Sequence, residues 1–163
     1  MRLDCVYGGS IKLKYPILSF IIPFFIVIGQ INLSKAEELP LNREVNQNTI
    51  DETICVPGYT KTIRPPASVT NTVKFEMLRA GGYSASSIHD FILDHRIPLS
   101  LGGAANDLRN FLLQSESESK EKDRVELCLA KTVCSGRISL ANAQAEIWKN
   151  WRTAEKFCSA STN

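Results

Sequence analysis

Asp94 and His95 stand side by side after a short apolar run, Phe91-Ile92-Leu93, and are followed by Pro98, by Gly102-Gly103 and by Asn110. An imidazole with an ordinary pKa of about 6.5 is largely neutral near pH 7, so His95 can take a proton from water, with a carbonyl or an asparagine amide fixing its tautomer. Asp94 offers a hard carboxylate oxygen, which suits Mg²⁺, an ion that keeps most of its own waters. Successive strand residues face opposite sides, yet at a strand end two side chains can converge on one ion and its water. A base beside a cation is the equipment of metal-assisted hydrolysis.

Taken jointly, Asp-His-x-x-Pro-x-x-x-Gly-Gly-x₆-Asn resembles the signature of HNH, or His-Me finger, endonucleases. The resemblance extends outward to Ile54-Cys55-Val56-Pro57-Gly58-Tyr59-Thr60, to Lys122-Asp123 and to residues 140–151, which look like an exported bacterial variant of that family. It implies an α+β fold, a small ββα-metal core with additional flanking helices over residues 54–163. It implies His95 as general base, Asn110 as the residue that braces the loop beside it, and Asp94 as a ligand of a divalent metal, Mg²⁺ first, with Mn²⁺ or Zn²⁺ as alternatives. The implied activity is hydrolysis of DNA or RNA phosphodiester bonds with little sequence preference. An inhibitor or immunity protein is a further implied partner.

The third ligand departs from the commoner family pattern, which places His or Asn on the following helix where this chain has Glu118 and Ser119. Glu118 is either a carboxylate ligand, the capping-box partner of Ser115 or an i,i+4 partner of Lys122. Arg96 and Lys122 are the expected substrate-binding cations, and Lys122 and Asp123 alternatively brace the site or form a surface ion pair. Lys61, Arg64, Arg109, Lys120 and Arg124 join them in a phosphate-facing patch if the fold gathers them. His89 matches no motif position and reads as a loop histidine, and Trp148, Trp151 and Phe157 read as packing material.

The elements that position these residues can be read in outline. Pro65-Pro66 argue against a helix starting before them, and Ser68 or Thr70 can cap a helix through about Arg79 that ends at Gly81-Gly82. A short strand leads into His95, Gly102-Gly103 turns the chain, and residues 107–113 return as a second strand or an ordered loop. Ser115 and Glu118 can open a long helix whose apolar stripe is Val125, Cys128, Leu129 and Val133, closed at Cys134-Ser135-Gly136. Ser139 can cap another helix through Trp148 and Trp151.

With 44% hydrophobic and 22% charged residues, the chain is ordinary globular material. Residues 1–36 read as a signal peptide, with Lys12 and Lys14 before an apolar run from Pro16 to Ile31 and Ser34-Lys35-Ala36 as cleavage site, in preference to an uncleaved anchor. The expected product is secreted or periplasmic, without a membrane span after cleavage, and residues 37–53 read as a polar linker. Cleavage would remove four basic side chains (Arg2, Lys12, Lys14, Lys35) and one acid (Asp4), turning the formal net charge from +2 to −1. That balance excludes a protein gripping nucleic acid by bulk charge alone, although a local patch and a metal need no such excess. It supports the alternative function, a catalytically inactive HNH-like envelope binding module.

Cys55, Cys128, Cys134 and Cys158 remain after cleavage, an even number that reads as two disulfides, because no pair has the short gap of a zinc knuckle. Cys128 and Cys134 fall on different faces of one helix at about 100° per residue. Cys55–Cys134 with Cys128–Cys158 is the preferred pairing of the three that four cysteines permit.

Overall fold

The computed structural model describes residues 38–159. The expected signal peptide lies outside that range. Ile92–His95 forms strand β1 and Phe111–Gln114 forms β2. They pair antiparallel in the register Ile92↔Gln114, Leu93↔Leu113, Asp94↔Leu112 and His95↔Phe111. Two four-residue strands bury too little to stand alone in water, so their support comes from the helices around them.

Helix α3 (Glu116–Cys134) begins as soon as β2 ends. Ser115 accepts from the Glu118 backbone N–H and the Glu118 carboxylate accepts from the Ser115 N–H, so both halves of the capping box are present. The stripe that α3 buries runs through Val125, Leu129 and Val133, one helical turn apart. Helix α4 (Leu140–Ala154), capped by Ser139, buries Leu140, Ala143, Ile147 and Ala154 against it. Ile97 and Leu101, from the loop between the strands, complete the core and are fully buried. The fold is therefore α+β, with helices around one small sheet.

Two sequence expectations give way. The segment read as a polar linker is part of the domain: Val45 and Ile50 lie in the core, and Leu41 bridges to Gly103. Its apolar residues follow neither a 3.6- nor a two-residue period, which hides the burial from periodicity. Asn42 and Asn46 instead close local turns by accepting from the backbone N–H two residues on. The second correction is helix α1 (Tyr59–Ile63), which precedes the two prolines. Arg64, at φ −66° and ψ 130°, takes the extended geometry that a following proline imposes, so α1 stops there and α2 (Ala67–Ala80) starts directly after Pro66.

The two disulfides are those preferred from the sequence. Cys55 joins the segment before α1 to Cys134 at the end of α3, and Cys128 joins the middle of α3 to Cys158 in helix α5 (Lys156–Ser159). They are the mark of a chain that folds in an oxidising environment. No helix among the described residues is long and apolar enough to cross a membrane. The bridges span 79 and 30 residues of sequence. A chain-entropy estimate assigns them about 4.5 and about 3.6 kcal/mol at 25 °C. Replacing Cys55 and Cys134 by serine is therefore expected to lower the unfolding free energy more than replacing Cys128 and Cys158. Urea denaturation of the two double variants measures this, and a larger loss for the second pair would contradict it.

Candidate active site

His95 ends β1, is 6% exposed as a residue, and has its ring packed on Phe111, with ring centroids 4.7 Å apart. Its Nε2 lies 3.0 Å from the carbonyl oxygen of Ala105. A carbonyl can only accept, so in the neutral ring Nε2 carries the proton and Nδ1 keeps the lone pair. Burial lowers the His95 pKa below its ordinary value, against the opposing pull of the Ala105 contact and of Asp94. The ring is thus a neutral proton acceptor near pH 7. It borders an open cleft of about 360 Å³ between β1 and α2, shared with Asp94, Arg64, Thr70, Asn71 and Lys74.

The loop that supplies Ala105 is held by Asn110, which is fully buried. Its Oδ1 accepts from the Ile97 N–H at 2.8 Å, and its Nδ2 donates to the carbonyls of Ile97 at 3.0 Å and Ala104 at 2.9 Å. Gly103 is needed for that approach, since a Cβ there would stand 1.9 Å from the Ile97 oxygen and 2.7 Å from Asn110 Nδ2. Gly102, at φ +74°, adopts the left-handed conformation that turns the chain. Asn110 therefore acts on the site by positioning. It fixes the loop whose next carbonyl, that of Ala105, orients the His95 ring.

Lys122 takes the bracing role rather than the substrate-binding one. Its side chain is 0% exposed, with Nζ donating to Asp94 Oδ2 at 2.8 Å, to the His95 carbonyl at 2.7 Å and to the Glu126 carboxylate. All three ammonium protons are used, so Lys122 cannot be the solvent-facing phosphate clamp that the sequence leaves open. Burial alone would depress its pKa, but Glu126 and Asp94 outweigh that and hold the ammonium above its ordinary value. The physical cause of the misreading is register: Lys122 lies one turn before Val125 on the buried stripe of α3.

Around that ammonium the structure gathers an unexpected carboxylate set. One ligand atom each from Asp94, Asp123 and Glu126 lies within 4.8 Å of the others, with Asp123 exposed. Three carboxylates against one ammonium leave two negative charges uncompensated, a hard-oxygen donor set that fits a divalent cation of the Mg²⁺ type. The Glu126 carboxyl is pushed up to about 7, by burial first and by the neighbouring Asp94 and Asp123 charges, against the pull of Lys122. The site thus resists its third negative charge. Asp94 is also held from the other side, its Oδ1 accepting from the His95 N–H at 2.8 Å.

Glu118 does not join this set. One of its oxygens serves the capping box and the other receives the Arg152 guanidinium, so of the roles open in the sequence the capping role is the one realised. Arg96 stacks on Trp148, 3.6 Å from the guanidinium carbon to the ring centroid, rather than lining the cleft. The anticipated basic patch is dispersed, with Lys120 paired to Glu116 and Arg109 to Asp107. Of that group only Arg64 reaches the cleft, where it meets Lys74, a residue the sequence did not single out. Asp123 and Glu126 had a legible signal, an i,i+3 pair beside Lys122 on one helix face. Compared with protein-family models, curated proteins and solved structures, the chain matches none of them significantly.

Proposed function

We propose that the protein is an exported, metal-dependent endonuclease of the HNH type, with His95 as general base and Asp94, Asp123 and Glu126 holding one divalent cation, Mg²⁺ first and Mn²⁺ or Zn²⁺ in its place. The observation that carries the reading is the junction at Asp94. This residue borders the His95 cleft and belongs to the carboxylate set, so a neutral base and a cation site meet through one side chain. The strand–strand–helix order of β1, β2 and α3 supports it, as does the Asn110 brace. The disulfides support export.

In this reading His95 Nδ1 takes a proton from the attacking water, while the Ala105 carbonyl keeps the ring in the tautomer that can accept it. Asp94 positions both halves of the site, through the His95 N–H on one oxygen and Lys122 on the other. When bound, the cation supplies charge stabilisation at the phosphate and the leaving oxygen. The second reading, a binding module without catalysis, is favoured by one observation, that the Lys122 ammonium already contacts two of the three carboxylates.

The carboxylate variants separate the two. Asp94→Asn, Asp123→Asn and Glu126→Gln are each expected to raise the metal concentration for half-maximal cleavage by roughly 10- to 100-fold, with the rate recovering at high metal. Glu118→Ala should lose about 0.5–2 kcal/mol of stability and keep its activity. Because Glu126 holds its proton up to about 7, cation binding should release protons at pH 6 and almost none at pH 8.5. Calorimetry in buffers of different ionisation enthalpy reads that difference. Metal dependence unchanged in all three variants would remove the carboxylate set from the mechanism.

A further inference from the structure

A phosphate approaching three carboxylates is repelled unless a fixed cation offsets them, and the position of one arginine answers that need. Arg64 lines two adjoining spaces: the cleft that holds His95 and Asp94, and a groove of about 230 Å³ that holds Asp123 and Glu126. Its side chain is exposed and, among the described residues, has no hydrogen bond or ion pair. Arg79, Arg109 and Arg152 are by contrast each bound to a carboxylate. The backbone beneath Arg64 is rigid for a local reason. It closes α1 and is followed by Pro65, which is buried, and Pro66, which opens α2, so its extended geometry is imposed by the chain. Lys74, two turns into α2, lies on the wall of the same cleft.

We propose that Arg64 grips the scissile phosphate of a nucleic acid at the boundary between His95 and the Asp123–Glu126 groove, and that Lys74 receives a neighbouring phosphate along α2. The inference rests on the nuclease reading for the identity of the ligand as a phosphodiester. The guanidinium fork matches two phosphate oxygens at once, whereas an ammonium at the same place offers only a point charge. Its proximity also contributes to holding the His95 ring neutral.

The test pairs two measurements on the purified protein and its Arg64→Gln, Arg64→Lys, Lys74→Gln and Arg79→Gln variants. The first is anisotropy of a fluorescent single-stranded oligonucleotide in EDTA, the second its cleavage in Mg²⁺. Arg64→Gln is expected to weaken binding and to lower the saturated cleavage rate by about 10²-fold, with Arg64→Lys restoring only part of it. Lys74→Gln should raise KM and reduce the salt dependence of binding by about one ion while kcat is kept. Arg79→Gln, outside the cleft, should match wild type. Arg64→Gln within twofold of wild type in both measurements overturns the inference and leaves the nuclease reading standing. If wild type cleaves nothing with any metal, the nuclease reading fails and the anisotropy still decides. Binding weakened fivefold or more by Arg64→Gln upholds the phosphate grip, and equal or absent binding overturns it.

Discussion

Replacing His95 by alanine is expected to lower the rate of phosphodiester cleavage by about 10²- to 10⁴-fold while leaving the affinity for a divalent cation unchanged. The separation follows from geometry. His95 contributes a ring held by Ala105 on the cleft side, whereas the carboxylates of the cation site belong to Asp94, Asp123 and Glu126. The pH profile carries the same signature. Burial lowers the His95 pKa, so with the cation site saturated the acid limb of the wild-type rate should lie below the ordinary imidazole value, where the ring at last takes a proton. In His95→Ala that acid limb should disappear. A variant as fast as wild type, or one that loses metal affinity along with rate, would place the base elsewhere.

Lys122→Met is expected to cost about 3–5 kcal/mol of folding stability at pH 8. The substitution keeps an unbranched apolar stem but removes the ammonium, leaving Asp94 and Glu126 without their shared counter-charge and the His95 carbonyl without its donor. The sign of the pH dependence follows from Glu126. Its folded pKa is about 7 with Lys122 present, against an ordinary 4.5, and can only rise when the ammonium is removed. Between those values the folded variant takes up a proton that the unfolded chain does not, which stabilises the folded form as pH falls. The deficit relative to wild type should therefore be smaller at pH 5.5 than at pH 8. Urea denaturation at both pH values measures it, and a loss under 1 kcal/mol at pH 8 would contradict the buried ion-pair network.

What was legible in the sequence divides by length scale. Local chemistry announced itself: the Ser115–Glu118 capping box, the Ser139 cap, the glycine turn and the strand leading into His95 all stand where their residue types put them. Helical geometry separates Cys128 from Cys134 and so removes one of the three cysteine pairings, but between the other two the sequence held only a preference, which the fold bears out. Burial without periodicity did not. The stretch from Leu39 to Ile54 sends isolated apolar residues into the core from an irregular backbone, which no repeat in the sequence marks. In the site, Asp94 and His95 were evident as neighbours, but the i,i+3 pair Asp123 and Glu126 meets Asp94 only because α3 is docked against β1. That docking turned Lys122 inward, gave Glu118 to the helix cap and Arg152, and left Asp123 and Glu126 beside Asp94. A charged residue's role on a helix depends on which face is buried, and one turn of register changes it.

In the proposed mechanism the His95 cleft and the Asp94, Asp123 and Glu126 carboxylates act as one hydrolytic centre. Its most direct test is incubation of the purified protein with plasmid DNA and with RNA, in Mg²⁺ or Mn²⁺ and in EDTA. Internal cleavage of at least one of the two nucleic acids is expected, supported by the divalent cation and abolished by its removal. Intact DNA and RNA under every metal condition, from protein whose disulfides are formed, would contradict it.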